Sequence, residues 1–112
     1  MSAAHRDSAS TPDLHLSALE GAIAVYRRHA ARAIAEERWS VAEIFFDRIL
    51  EVDPHHTEAW LMKGLLRYHC RQDDHAAVEC FQRVIRLRGF DSSHPHVQRA
   101  QRSLGRLLAV CG

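Results

Sequence analysis

Along most of the chain apolar residues recur at three- and four-residue steps, the spacing that gathers them on one face of an α-helix. The first run is Ala22, Ile23, Tyr26, Ala30, Ala33 and Ile34. It pauses at Glu36-Glu37-Arg38-Trp39-Ser40, which reads as a turn, and resumes with Ala42, Phe45, Phe46, Ile49, Leu50 and Val52. Asp53-Pro54 stops it, because proline cannot continue a helix and restricts the residue before it. A helix over about Glu58–Arg71 is followed by a polar turn at Gln72-Asp73-Asp74. Ala77, Val78, Phe81, Val84, Ile85 and Leu87 then form a fourth apolar stripe, closed by Gly89, a suitable C-terminal breaker. After a loop from Phe90 to Pro95, a last helix carries Val97, Ala100, Leu104, Leu107, Leu108 and Cys111 on one face. The pattern predicts an all-α chain of five helices, arranged as two hairpins plus one.

At the other end, Ser17-Ala18-Leu19-Glu20 has the form of a capping box, in which hydroxyl and carboxylate each satisfy an orphan backbone N–H. It places the first helix start near Ser17, with Leu14 and Leu16 packing beside the helix or folding toward a groove; Pro12-Asp13 offers an earlier start. Residues 1–16, Ser/Ala-rich at their beginning, are expected to form a disordered tail, and residues 17–112 the folded domain. The beginning of the chain lacks an apolar core of the kind a secretory signal carries.

A repeat runs through the stripes. Trp60 stands 34 residues after Tyr26, and Gly64 34 after Ala30. Phe81 lies 35 after Phe46, which places one extra residue in the turn around Asp73-Asp74, with the linker at 57–58 as the alternative. These residues resemble the tetratricopeptide repeat, with its 34-residue period and aromatic–Leu–Gly–Tyr…Ala…Phe…Pro pattern. Residues 23–56 match at Tyr26, Ala30, Ala42, Phe46, Ile49 and Pro54. Residues 57–90 match at Trp60 and Gly64, with Lys63 where the family has Leu. In the last helix, about 95–111, Gln101, Leu104, Gly105 and Leu108 repeat the first-helix spacing, as a truncated third repeat serving as a cap would. The resemblance covers about residues 17–112. It implies a right-handed helical repeat of two helix-turn-helix hairpins plus a capping helix, with small residues at Ala30, Ala42 and Gly64 where helices approach closely.

Composition fits one ordinary small domain: 112 residues, 46% hydrophobic and 26% charged. No apolar run reaches the ~18 residues a bilayer span requires, and a cytoplasmic protein without membrane contact is expected. Three cysteines (Cys70, Cys80 and Cys111) without metal-ligand spacing read as free thiols of a reducing compartment. The net charge of +1 is unevenly placed: residues 83–112 hold six Arg and one acid, a balance of +5, leaving −4 for the rest. That asymmetry suits an acidic protein partner better than nucleic acid.

Catalytic and metal chemistry find little support. Nine histidines show no spacing of the kind a zinc site uses, and those near helix ends have a simpler reading as capping or solvated groups. The five glycines are isolated and cradle no phosphate; no serine sits in a GxSxG turn. The expectation is a chain that is not an enzyme, with no cofactor and no metal.

What the resemblance does nominate is a groove, since in that family the first helix of each hairpin lines a concave surface that meets the ligand. The matching positions are Arg27, Ala31 and Ile34; Leu61, Leu65 and Tyr68, with Met62 beside them; and Arg99, Arg102 and Arg106 of the last helix. A third helix apolar on both faces needs cover from a partner, from another copy or from the chain's own tail. Lys63 and Arg67 fall in inward slots, and a shifted register would expose Met62 and Leu66 instead. The arginine stripe also suits the solvated face of a capping helix. The family's clamp for heat-shock chaperone C-termini requires paired Asn side chains where this chain has Ala31 and Met62, so that clamp is absent. The implied role is protein-protein interaction: an adaptor or chaperone-like module, similar in size and architecture to the repeat chaperones of bacterial secretion systems, holding a peptide or helix of a partner. The alternative is a structural subunit, such as a homodimer, that self-associates through the same apolar surface.

Overall fold

The computed structural model describes the backbone of residues 2–111 and the side chains of residues 17–109. Five helices follow one another: α1 (Ser2–Ala35), α2 (Trp39–Val52), α3 (Thr57–His69), α4 (Asp74–Leu87) and α5 (Pro95–Cys111), with no strand among the described residues. The chain is all-α. α1 packs on α2, α3 on α4, and α5 on α4 with a lesser contact to α3; α2 joins the two pairs by packing on α3. Three or four residues link the members of each pair, too few to do anything but fold the chain back on itself.

The first helix departs from the sequence reading. Its backbone is helical from Ser2, where a disordered tail to residue 16 is expected, and Ser17 and Glu20 lie inside it. The N–H groups after Ser17 therefore bond to carbonyls one turn upstream, and the expected capping box has no orphan donors to satisfy. At 1.5 Å per residue α1 is about 51 Å long, more than twice α2, so its N-terminal half extends past the hairpin. The expected placement of Leu14 and Leu16 lies outside the residues whose side chains are described.

The turns explain the uneven repeat. α1 ends at Ala35 and α3 at His69, 34 apart, whereas α2 begins at Trp39 and α4 at Asp74, 35 apart. In the first turn Glu37 takes a left-handed conformation (φ 58°), its N–H bonds to the Ile34 carbonyl, and the Arg38 N–H closes on Ala33 at 2.8 Å. That is the helix-ending motif usually built on glycine. In the second turn Gln72 holds the same role (φ 54°), but the closing bond runs from the Asp73 N–H to Arg67, one residue wider. The extra residue sits between α3 and α4. α4 ends on the same motif with Gly89 left-handed (φ 60°) and the Phe90 N–H on the Ile85 carbonyl.

Helix starts use unlike caps. Asp73 Oδ1 accepts the Ala76 N–H at 3.2 Å, as sequence would suggest. At α3 the cap is an imidazole, His56 Nδ1 accepting from the Ala59 N–H at 3.1 Å; at α5 His94 Nδ1 accepts from the His96 N–H at 3.1 Å.

Two cores result. Ala30, Ala33, Ala42, Phe46 and Ile49 of the first pair enclose Ala59 and Leu66 of α3. Leu61 and Leu65, on the other side of α3, pack with Ala77, Phe81 and Val84 of α4 and Val97, Ala100 and Leu107 of α5. The small residues let helices close: a Cβ on Gly64 would lie 2.7 Å from the Phe81 ring, and Ala42 is wholly buried. Between the cores the α2–α3 seam is ionic. Lys63 Nζ meets Asp47 at 2.8 Å, and Arg67 pairs with Glu43 and, at 3.2 Å, with Asp73. Lys63 and Arg67 thus occupy inward positions because acids on the neighbouring helix receive them, and Leu66 is buried rather than exposed.

Candidate functional site

The walls of the main cleft come from helices whose backbones stay apart. Among the described residues no Cα of α1 lies within 8 Å of α3, because α2 stands behind them and holds them apart. The space between has a volume of about 600 Å³. Ala24, Ala31 and Ile34 form its α1 wall, Leu61 and Met62 its α3 wall, and the largely buried Phe46 of α2 lies at its base. Positions 24, 27, 28, 31 and 34 share one face of α1 by helical spacing, so one turn repeats the next along the wall.

The rim is charged. Arg27 reaches across to Glu58 in a two-pronged contact, Nε to Oε1 at 2.8 Å and Nη2 to Oε2 at 3.1 Å. With the Arg27 side chain 53% exposed, this pair contributes little to stability, in the range of ~0–1 kcal/mol. Its importance is positional, since it is the direct polar bridge from α1 to α3 among the described residues. Arg28 lines the same cleft with no carboxylate partner among the described residues. His96, from the first turn of α5, closes one end.

Beyond the Arg27–Glu58 bridge lies a second, polar hollow of about 470 Å³, which shares Arg27, Glu58 and His96 with the first and adds Asp53, His55, His56 and Arg88. Burial, then the neighbouring His94, Arg88 and His56, hold the His96 imidazole below the usual histidine range, with Glu58 opposing them. The cleft thus has an apolar trough at one side of an ion pair and a polar basin at the other. Among the described residues no group of His, Cys, Asp or Glu is arranged to hold a metal ion. No helix there is long and apolar enough to cross a membrane.

Of the residues expected to line a groove, the structure brings together Arg27, Ala31, Ile34, Leu61 and Met62. Leu65 and Tyr68 are not among them: Leu65 is 8% exposed in the second core, and Tyr68 packs on its edge against His69. The cover that a doubly apolar α3 requires is supplied by α5, through Val97, Ala100 and Leu107. Arg99, Arg102 and Arg106 are exposed on the far side of α5 and do not reach the cleft. Sequence reasoning missed five members. Ala24 and Arg28 were available from the same i, i+3, i+4, i+7 spacing that gave Arg27 and Ala31. Phe46, Glu58 and His96 arrive through tertiary packing, which local periodicity does not encode.

Comparison of the chain with protein-family models, with curated proteins and with solved structures returns no match.

Proposed function

We propose that the chain is a tetratricopeptide-like, right-handed helical repeat module, adaptor or chaperone-like, that holds a peptide or helix of a partner protein in the cleft between α1 and α3. The observation that carries this reading is the trough itself: Ala24, Ala31, Ile34, Leu61 and Met62 over Phe46, rimmed by Arg27 and Arg28. An apolar trough with small residues along one wall accepts the ridge of an amphipathic segment, and burying one Leu or Phe anchor there is worth ~1.5–3 kcal/mol. The cationic rim sets the ligand's polarity. Arg28 fits an acidic residue flanking the anchors, which would govern orientation and association rate more than affinity. Two offsets support the repeat reading, 34 residues between first helices and 35 between second helices, with the buried set Ala42, Phe46, Ile49 recurring as Ala77, Phe81, Val84.

The test begins with capture of partners from the native host and titration of the one recovered. Ala31 is exposed on the α1 wall, so Ala31→Trp fills the trough without entering a core. That variant should keep its helical signal and lose the partner at least tenfold, while Ile44→Asp, on the exposed outer face of α2, should bind as wild type. Undiminished binding by Ala31→Trp would place the ligand elsewhere.

A further inference from the structure

In the polar hollow beyond the Arg27–Glu58 bridge the carboxylates are engaged and one arginine is not. Glu58 is held by Arg27 through two contacts, and Asp53 Oδ1 accepts the His55 N–H at 3.1 Å. Arg88, on the same wall, has no carboxylate within ion-pair distance among the described residues. Asp91, three residues on, is taken by Ser93, whose hydroxyl and N–H both donate to its Oδ1. The imidazoles differ in what they offer. His56 Nδ1 accepts the Ala59 N–H, so Nε2 carries the proton of its neutral ring. His96 is the unsatisfied one: its Nδ1 is buried without a hydrogen-bond partner, a state that costs free energy until something supplies one. α5 also begins here with His94 as its cap and no acid in its first turn, so no cap charge opposes an anion.

We propose that this hollow binds a phosphate-class oxyanion, held by the Arg88 guanidinium, with protonated His96 and the Nε2–H of His56 as further donors. The space, about 470 Å³, takes such an anion together with water. A tetrahedral anion presents acceptor oxygens in several directions, which suits donors arriving from α3, the end of α4 and α5; a flat carboxylate would meet fewer of them. Binding and protonation are coupled. Burial, with His94, Arg88 and His56 beside it, disfavours the His96 imidazolium, and Glu58 favours it. A dianion in the hollow adds to the side of Glu58, so each event promotes the other. Arg27 and Asp53 keep the partners already described, and His55 is the remaining imidazole of the hollow. The inference does not rest on the function proposed for the apolar trough.

Sulfate is the first probe, because it stays a dianion throughout the histidine range. It is titrated into the full chain, with ionic strength held constant by chloride, while the imidazole C–H signals are followed by NMR. Saturable shifts should appear at His55, His56 and His96, and bound sulfate should raise the midpoint of the His96 titration. Affinity should increase from about pH 8 to about pH 6. Arg88→Gln should weaken binding roughly fivefold or more, and His96→Gln should flatten its pH dependence, each with the wild-type helical signal. Ala31→Trp, in the trough, should bind sulfate as wild type. Inorganic phosphate and N-acetylphosphoserine amide, compared at one pH, then distinguish a free anion from a phosphorylated residue by which binds more tightly. Shifts no larger than chloride alone produces would overturn the proposal. So would undiminished binding by Arg88→Gln, or a His96 midpoint that sulfate leaves unmoved.

Discussion

Two glycines on equivalent helix positions offer a measurement with its own control. Replacing Gly64 by Ala adds a methyl group 2.7 Å and 2.9 Å from two carbons of the Phe81 ring and 3.0 Å from the Cys80 Cβ. Phe81 is 0% exposed, so its ring has no empty side toward which to swing. Overpacking of that kind costs about 1–3 kcal/mol. Against it stands the helix-propensity gain of Gly→Ala, about 1 kcal/mol. The net effect should be a loss of roughly 0–2 kcal/mol. Gly105→Ala makes the same chemical change with nothing within 4 Å, so only the gain remains, a stabilisation of about 1 kcal/mol. The difference between the two variants, about 1–3 kcal/mol, isolates the steric cost of the α3–α4 contact. Urea unfolding followed by far-UV circular dichroism resolves it, and in thermal melts each kcal/mol corresponds to roughly 4–8 °C. Equal stabilisation of both variants would mean that Phe81 does not sit on Gly64, and with it the close helix approach would fail.

Other expectations follow from the same packing. Burial lifts the Cys80 thiol to about 11, whereas Cys70 is half-exposed; in a Cys111→Ser background a disulfide reagent should label Cys70 at once and Cys80 only on unfolding. Rapid labelling of both would contradict the core. Leu65→Asp should unfold the protein rather than merely disable binding, and Leu65→Ala should cost about 2–5 kcal/mol in urea titration; a folded Leu65→Asp chain would return that residue to a surface. Gln72→Gly should stabilise by about 0.5–1 kcal/mol in thermal melts, because glycine removes the left-handed strain at φ 54° at some entropic expense. His96 binds its proton less readily folded than unfolded, so the unfolded chain holds more protons through the histidine range. Its contribution is intact above that range and is lost as pH falls through it. Urea stability should therefore decline from about pH 7 to about pH 5, less steeply in His96→Gln. Rising stability on acidification would refute the assignment.

Much of this fold is written locally. The 3.6-residue stripes, the stop at Pro54 and the breaker at Gly89 each act within one helix, so the helices from α2 onward were legible, as was the turn that holds the extra residue. What local signals missed lies where distant segments compete. Ser17 reads as a cap only if the helix starts there; with helix upstream, its neighbours' N–H groups are already bonded. Leu65 reads as a groove residue only while α5 is imagined elsewhere, since a helix apolar on both faces does not say what covers it. Lys63 looked like a departure from an apolar slot, yet Asp47 one helix away makes a cation suitable there. Glu58 and His96 enter the cleft because of where α3 and α5 cross, a property of no single stretch of sequence.

The position of the cleft relative to the two cores bears on how it could accept ligands. One wall, α1, belongs to the first core, and the other, α3, divides its faces between the two. α3 joins α4 and α5 through Leu61, Leu65, Phe81 and Val97, a dry contact in which each large side chain is worth ~1.5–3 kcal/mol. It joins α2 through Ala59 and Leu66, with Met62 and Cys70 beside them, plus the pairs Lys63–Asp47 and Arg67–Glu43, the second of which is largely buried, so that parting it would strand two charges. Across the cleft mouth, Arg27–Glu58 is the remaining link, and it is solvated. A displacement that widens the cleft therefore works against the α2–α3 seam, part apolar and part ionic, while one that separates α3 from α4 must break the second core. Met62, which packs against both cores and lines the cleft, lies where such a displacement would be felt first. Methionine's unbranched, polarizable side chain is suited to repacking there around anchors of different shape.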